Sequence, residues 1–195
     1  MMERERLDVA LATLGALLEE RGEHISVLAI GGGSLLLLGV VERPTADIDV
    51  VGYTSVAGYV KAESLPDFLA TAVRDVGDAL GLGPAWFNCG PAGLVDFGLP
   101  PGLADRVTVR KYGTLEVHIP ALEDLICFKL YAAVDLTERS KHFTDLQALA
   151  PSAEQLLQAA HWTRTHDPSV GFLRELRRIL ALLDVEVSDA DLSIS

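Results

Sequence analysis

Cysteine is scarce in this chain. Cys89 and Cys127 are the only two in 195 residues, too few for a disulfide framework and without the spacing of a thiolate metal site, which leaves a reducing compartment, the cytoplasm, as the expected home. Long apolar runs are also missing. Hydrophobic residues make up 49% of the chain, but Gly, Pro or charge interrupts them well before the roughly 20 residues needed to cross a bilayer, so no membrane span is expected. Positive charge is in short supply, with 16 Lys and Arg against 28 Asp and Glu and a net charge of −12, a balance that opposes indiscriminate attraction to a phosphate backbone. Residues 1–6 carry mixed charges instead of an apolar export segment, and no internal repeat or low-complexity stretch interrupts the chain.

What is present alternates in type. In "RLDVALATLGALLEERG", Leu7, Ala10, Leu11, Leu14, Leu17 and Leu18 recur at helical spacing, and "ISVLAI" follows as a buried strand. A short helix is predicted from about Ser34 to Gly39, a strand over "DIDVVGY", and a helix from about Pro66 to Leu80. "GLGPAWFNCGPAGLVDFGLPPG" is rich in Gly and Pro and is expected to be an irregular loop, long for an inert connection. "RVTVRKYGTLEVHIP" alternates on both sides of Gly113 and predicts a β-hairpin, after which only helical patterns follow. The fold class expected is α/β (α+β): a small mixed sheet with flanking helices over 1–121, then a helical C-terminal part over 122–195 packed on that core.

The chemistry concentrates in "VLAIGGGSLLLLGVVERPTADIDVV". A strand that runs into Gly31, Gly32 and Gly33, with Ser34 opening a helix, gathers bare backbone amides at a helix N-terminus, an arrangement that favours bound phosphate; a tight strand-to-helix turn would need the same glycines. Leu36 stands where the dinucleotide fingerprint wants its third glycine, and the Gly-Lys-Ser/Thr of the P-loop is absent. Downstream, Asp47 and Asp49 are alternate residues, which places two carboxylates about 7 Å apart on one face of a strand. Such a pair is relieved by a hard divalent cation, Mg²⁺ or Mn²⁺, that shares its remaining positions with substrate phosphates. The bland account has Asp47 capping a turn after Pro44 and Asp49 facing solvent.

These residues resemble the DNA polymerase β-like nucleotidyltransferase superfamily, whose mark is a Gly-Gly or Gly-Ser turn followed by an Asp-x-Asp strand. The likeness is closer to the minimal bacterial branch that includes AbiEii-like toxin nucleotidyltransferases and a related group of uncharacterised domains, where Arg-x-Thr-x-Asp-hydrophobic-Asp is usual; Arg43, Thr45, Asp47 and Asp49 stand in those places. "DLICFKL" and "FTDLQAL" are similar to that branch's downstream Lys-Leu and Asp-Leu pairs and so single out Lys129 and Asp145, while "WFN" at Trp86 to Asn88 is similar to a Trp-Leu-Asn of its loops. The resemblance implies catalytic roles for Asp47, Asp49, Lys129 and Asp145, with Lys129 offsetting phosphate charge and Asp145 orienting it or activating an acceptor hydroxyl. It implies nucleotide contacts from Gly31, Gly32, Gly33, Ser34, Arg43 and Thr45, and a third metal carboxylate, for which Glu116 is the strand candidate and Asp145 the other.

The expected reaction is Mg²⁺- or Mn²⁺-dependent transfer of a nucleotidyl group from an NTP to an acceptor hydroxyl. The acceptor expected is an RNA end, especially tRNA, faced by Arg106, Arg110, Lys111, Arg139 and Lys141, and the resemblance extends to a toxin with a cognate antitoxin protein. Two other readings stand beside it: an enzyme that nucleotidylates protein, and a non-catalytic nucleotide-binding or interaction module that kept the fold.

Overall fold

The computed structural model describes residues 1–188 and 190–192 and divides into two compact units, 1–121 and 122–195. The architecture is mixed α/β, built on a six-stranded mixed sheet. No helix among the described residues is long and apolar enough to cross a membrane.

The first unit opens with helix α1 (Arg4–Glu20), which buries Leu7, Ala10, Leu11, Leu14 and Leu18, the stripe its spacing predicts. Gly15 lets α1 lie directly on the hairpin farther along the chain, because a methyl group there would collide with the Tyr112 carbonyl. Strand β1 (Ile25–Ile30) leads straight into helix α2 (Gly31–Leu38). The helix expected at Ser34 thus starts three residues earlier, and the glycines are its first turn. Strand β2 (Ile48–Ser55) turns back as β3 (Gly58–Lys61), a strand that the sequence reading did not anticipate. Helix α3 (Asp67–Leu80) presents Leu69, Ala72, Val73 and Val76 to the core.

The expected irregular loop is partly ordered. It contains a two-residue strand, β4 (Phe87–Asn88), and 3-10 turns at Gly90–Val95 and Leu103–Asp105. Trp86 anchors it, buried to 1% exposure and donating its indole N–H to the Val73 carbonyl at 2.9 Å. The hairpin is β5 (Thr108–Tyr112) and β6 (Leu115–Ile119). Strand order is β3-β2-β1-β6-β5, with β4 parallel to the start of β2; β1 runs antiparallel to β2 and parallel to β6. Between Leu28 and Ala29 the β1–β2 register slips, so that Gly52 and Val50 oppose neighbouring residues and Val51 bulges.

The second unit is helical among its described residues: α4 (Leu122–Leu136), α5 (Lys141–Leu149), α6 (Ala153–His166) and α7 (Val170–Ala181), with a 3-10 turn at Ala190–Leu192. Residues 193–195 of the expected helical part lie outside the described residues. Ser140, Ser152 and Ser169 cap α5, α6 and α7 by accepting backbone N–H bonds, and Gln155 completes a capping box with Ser152. Phe128 on α4 meets Trp162 on α6 edge to face at 5.2 Å, and Phe172, Leu176, Ile179 and Leu180 of α7 are buried.

Candidate functional site

The three glycines are explained by what they touch. At Gly31, where φ is +84°, a side chain would strike the Asp49 carboxylate. At Gly32 a methyl group would stand 3.2 Å from Thr45 Oγ1 and 3.3 Å from an Arg43 guanidinium nitrogen. At Gly33 it would stand 2.5 Å from Ile48 Cδ1 and 2.8 Å from the Asp47 carbonyl oxygen. The first turn of α2 is therefore pressed residue by residue against the Arg43–Asp49 segment. At Gly31 and Gly33 only glycine permits that approach, which overrides its poor helix propensity.

This packing brings one set of predicted residues together: Gly31, Gly32, Gly33, Arg43, Thr45, Asp47 and Asp49 surround the start of α2. The first four N–H groups of a helix lack intrahelical partners, and the end they form is partially positive. Gly31 and Gly32 are half-buried, whereas Gly33 and Ser34 are buried. The Ser34 hydroxyl is enclosed with no hydrogen-bond partner among the described residues, so in this conformation it does not offer the phosphate contact expected of it.

Asp47 and Asp49 are both half-buried. Asp47 lies just before β2, which begins at Ile48, and Thr45 Oγ1 donates to its carbonyl oxygen at 3.2 Å while lying 3.5 Å from its carboxylate. Thr45 is itself buried and pairs its backbone with Met2 in both directions, which fixes the segment. Asp49 is opposite Ile30 on β1 and alongside Asn88 on β4. Asn88 donates to Asp49 Oδ1 at 3.4 Å, and its own side-chain oxygen accepts the Gly90 N–H at 2.8 Å. Asn88, within "WFN", steadies one of the two carboxylates, a role whose signal is the pairing of β4 with a strand some 40 residues away in the chain. Two hard carboxylate oxygens beside a helix N-terminus suit Mg²⁺ or Mn²⁺ with phosphate oxygens supplying further ligands.

Glu116 does not join this group. Among the described residues no three His, Cys, Asp or Glu side chains gather closely enough to hold a metal ion. Register gives the reason: Glu116 is opposite Ser26 and Asp49 opposite Ile30, four residues apart on β1, or about 13 Å along the strand. Its carboxylate is engaged by Lys111 at 2.7 Å and Ser26 at 3.1 Å, and the Lys111 hydrogen bond foremost holds its pKa below the ordinary value.

Lys129 on α4 and Asp145 on α5 do meet. Lys129 Nζ donates to Asp145 Oδ2 at 2.6 Å, with side chains only 2% and 3% exposed. The pair ties two helices of the second unit. The basic residues expected to face an acceptor behave individually: Arg110 donates to the Leu37 carbonyl at 2.7 Å, Arg106 to the Pro101 carbonyl at 3.0 Å, and Lys111 is paired with Glu116, while Arg139 and Lys141 are exposed. Arg110 and Lys111, adjacent on a strand, point to opposite faces.

A family model described as a nucleotidyltransferase of unknown function (DUF6036) matches residues 6–148. No curated protein and no solved structure matches the chain.

Proposed function

Because the chain belongs to the nucleotidyltransferases of unknown function designated DUF6036, we propose that it transfers a nucleotidyl group from an NTP to an acceptor hydroxyl. The observation that carries this reading is the close packing of Gly31, Gly32 and Gly33 against Asp49, Thr45, Arg43 and Asp47. It sets the Asp49 carboxylate and the Arg43 guanidinium against one helix N-terminus, with the Asp47 backbone beside them and its carboxylate 3.5 Å from Thr45 Oγ1, a complement to a metal–triphosphate.

In this reading Asp47 and Asp49 hold Mg²⁺ or Mn²⁺, which when bound supplies Lewis-acid stabilisation of charge on the phosphates. Arg43, beside Gly32, together with the first amides of α2, binds the outer phosphates; a guanidinium beside the positive end of a helix is favourable once an anion lies between them. Asn88 keeps the Asp49 carboxylate aimed. Thr45 holds the turn that presents Asp47. Lys129 and Asp145 are buried against each other within the helical unit, and their double replacement tests whether they serve the reaction or the fold.

The test combines binding and transfer. Each NTP with Mg²⁺ should raise the melting temperature by mass action. An α-labelled NTP should pass its label to one of three acceptors offered in parallel: total tRNA, lysate protein, or the enzyme alone. Asp49→Asn should abolish both effects. NTP protection without transfer in any arm would assign the chain to the binding modules, and an Asp49→Asn variant with full Mg²⁺ dependence would refute the metal assignment. Label on tRNA that falls steeply between about 50 and 200 mM salt would identify an RNA acceptor and make the toxin reading, with a cognate antitoxin, the next to examine.

A further inference from the structure

The face of the sheet that carries Asp49 also carries an acceptor-like hydroxyl with its own base. Along β1, Ser26, Leu28 and Ile30 project to one side, and their partners project with them: Asp49 opposite Ile30, Gly52 and His118 opposite Leu28, Glu116 opposite Ser26. Without the bulge at Val51, Asp49 and Gly52 would fall on opposite faces. Tyr59 on β3 is opposite Thr54, two residues beyond Gly52, and so shares the same side. Gly52 lies against it: a methyl group there would stand 3.4 Å from Tyr59 Cβ, in ordinary contact. The Tyr59 and His118 side chains meet across the two intervening strands, β2 and β1, with the phenolic oxygen 2.8 Å from His118 Nδ1 and the rings edge to face at 5.8 Å.

The other imidazole nitrogen decides the direction of that hydrogen bond. His118 Nε2 lies 3.6 Å from Glu116 Oε2, with no hydrogen-bond partner among the described residues. Glu116 is kept ionised by Lys111 and Ser26. A lone pair on Nε2 would face that negative charge, whereas an N–H is attracted to it, so the neutral ring carries its proton on Nε2 and presents the Nδ1 lone pair to the Tyr59 O–H. Burial raises the Tyr59 pKa, so the phenol stays protonated unless a base takes its proton. A hydroxyl, a histidine that accepts from it and a carboxylate behind the histidine form the arrangement that activates nucleophilic hydroxyls on unrelated folds.

We propose that Tyr59 is itself a nucleotidyl acceptor, activated by His118 and modified by an NTP bound at the Asp47–Asp49 site on the same sheet face; this rests on the transferase reading above. Tyr59 Oη forms a bond to the α-phosphorus as the bond from that phosphorus to the bridging oxygen breaks and pyrophosphate leaves. The phenolic proton passes to His118 Nδ1, and Glu116 stabilises the resulting imidazolium before it returns its proton to solvent. His118 is the catalytic base of this step and Glu116 a positioning residue.

The experiment incubates the whole protein with Mg²⁺ and each α-labelled NTP, without added acceptor, and maps the modified peptide by mass spectrometry. The expected product is one acid-stable nucleotidyl group per chain on Tyr59, absent from Tyr59→Phe and from Asp49→Asn. His118→Gln should slow labelling by about 10²- to 10⁴-fold while melting temperature and NTP protection stay unchanged. Glu116→Gln should lower the rate at saturating NTP without moving the half-saturating concentration, with melting temperature and NTP protection as in the wild type, which excludes a loss of folded protein. Pyrophosphate release with Tyr59 unmodified, or label on a different residue, overturns this inference and leaves the transferase reading standing. Labelling of His118→Gln at the wild-type rate overturns the assignment of the base and with it the activated tyrosine. Neither NTP protection nor turnover in the wild-type protein overturns both readings.

Discussion

Removing Lys129 should unfold the protein more readily than removing almost any other single side chain, and removing its partner as well should restore most of the loss. The pair is 2.6 Å apart with side chains 2% and 3% exposed, so both charges are desolvated. Breaking a buried pair from one side leaves an uncompensated charge and costs about 3–5 kcal/mol. A single domain has about 5–15 kcal/mol in total. Lys129→Met should therefore lose a fifth or more of the stability. Asp145→Asn should lose less, because the amide oxygen still accepts from the ammonium. In Lys129→Met/Asp145→Leu neither charge remains, and apolar replacements of similar volume are neutral or stabilising in such sites. The double-mutant cycle, closed by the single variant Asp145→Leu, should return a coupling energy of about 3 kcal/mol. Urea unfolding followed by far-UV circular dichroism and by fluorescence of Trp162, which stacks within the same helical unit, measures all four corners. A Lys129→Met cost under about 1 kcal/mol, or a double variant as unstable as the sum of the singles, would refute a desolvated ion pair. The double variant also separates stability from chemistry. If it is folded and still transfers nucleotide at the wild-type rate, Lys129 and Asp145 serve the fold alone; if it is folded and inactive, they serve the reaction.

Other expectations follow from the same contacts. Gly31→Ala puts a side chain at φ +84° and onto the Asp49 carboxylate, so it should cost about 1 kcal/mol or more and remove Mg²⁺-dependent NTP protection, read by thermal shift. Asn88→Ala should raise the Mg²⁺ needed for half-maximal protection by about 10- to 100-fold, because it releases the carboxylate that Asn88 holds. Trp86→Phe leaves the Val73 carbonyl without its indole donor and should cost about 1–3 kcal/mol in urea unfolding. Glu138 and Glu175 have pKa values lowered foremost by hydrogen bonds from Arg178. Their depressed folded-state pKa contributes stability that is present above the ordinary glutamate value of about 4.3 and lost as pH falls through the folded value. Arg178→Ala should flatten the fall in melting temperature below about pH 4.3, and an unchanged acid limb would exclude the pair from stability.

What could be read from the chain alone was local. The stripe of α1, the strand "ISVLAI", the hairpin about Gly113 and the run from Gly31 to Asp49 each carry their signal within a few residues. The three glycines marked a site because a close approach leaves no substitute, although their first reading as a turn before Ser34 missed that tertiary contact had made them helical. β3 was overlooked since Gly58–Lys61 is four residues long beside a turn, and β4 because two residues in a Gly- and Pro-rich segment become a strand only when Ile48 and Asp49 pair with them. Residue type and strand position make Glu116 one of two candidates, with Asp145, for the third carboxylate that the resemblance implies, whereas the register sets it four β1 residues from Asp49. The Tyr59–His118–Glu116 chain was invisible for a related reason. Its members lie on two strands that are not neighbours, and their common face with Asp49 depends on one extra residue in β2, Val51, opposite the junction of Leu28 and Ala29. Period two along β2 would have put Asp49 and Gly52 on opposite sides of the sheet, separating the carboxylate from the glycine over which Tyr59 passes. The bulge reverses that parity, so a single backbone irregularity sets which side chains share the face on which a nucleotide bound at Asp49 would lie.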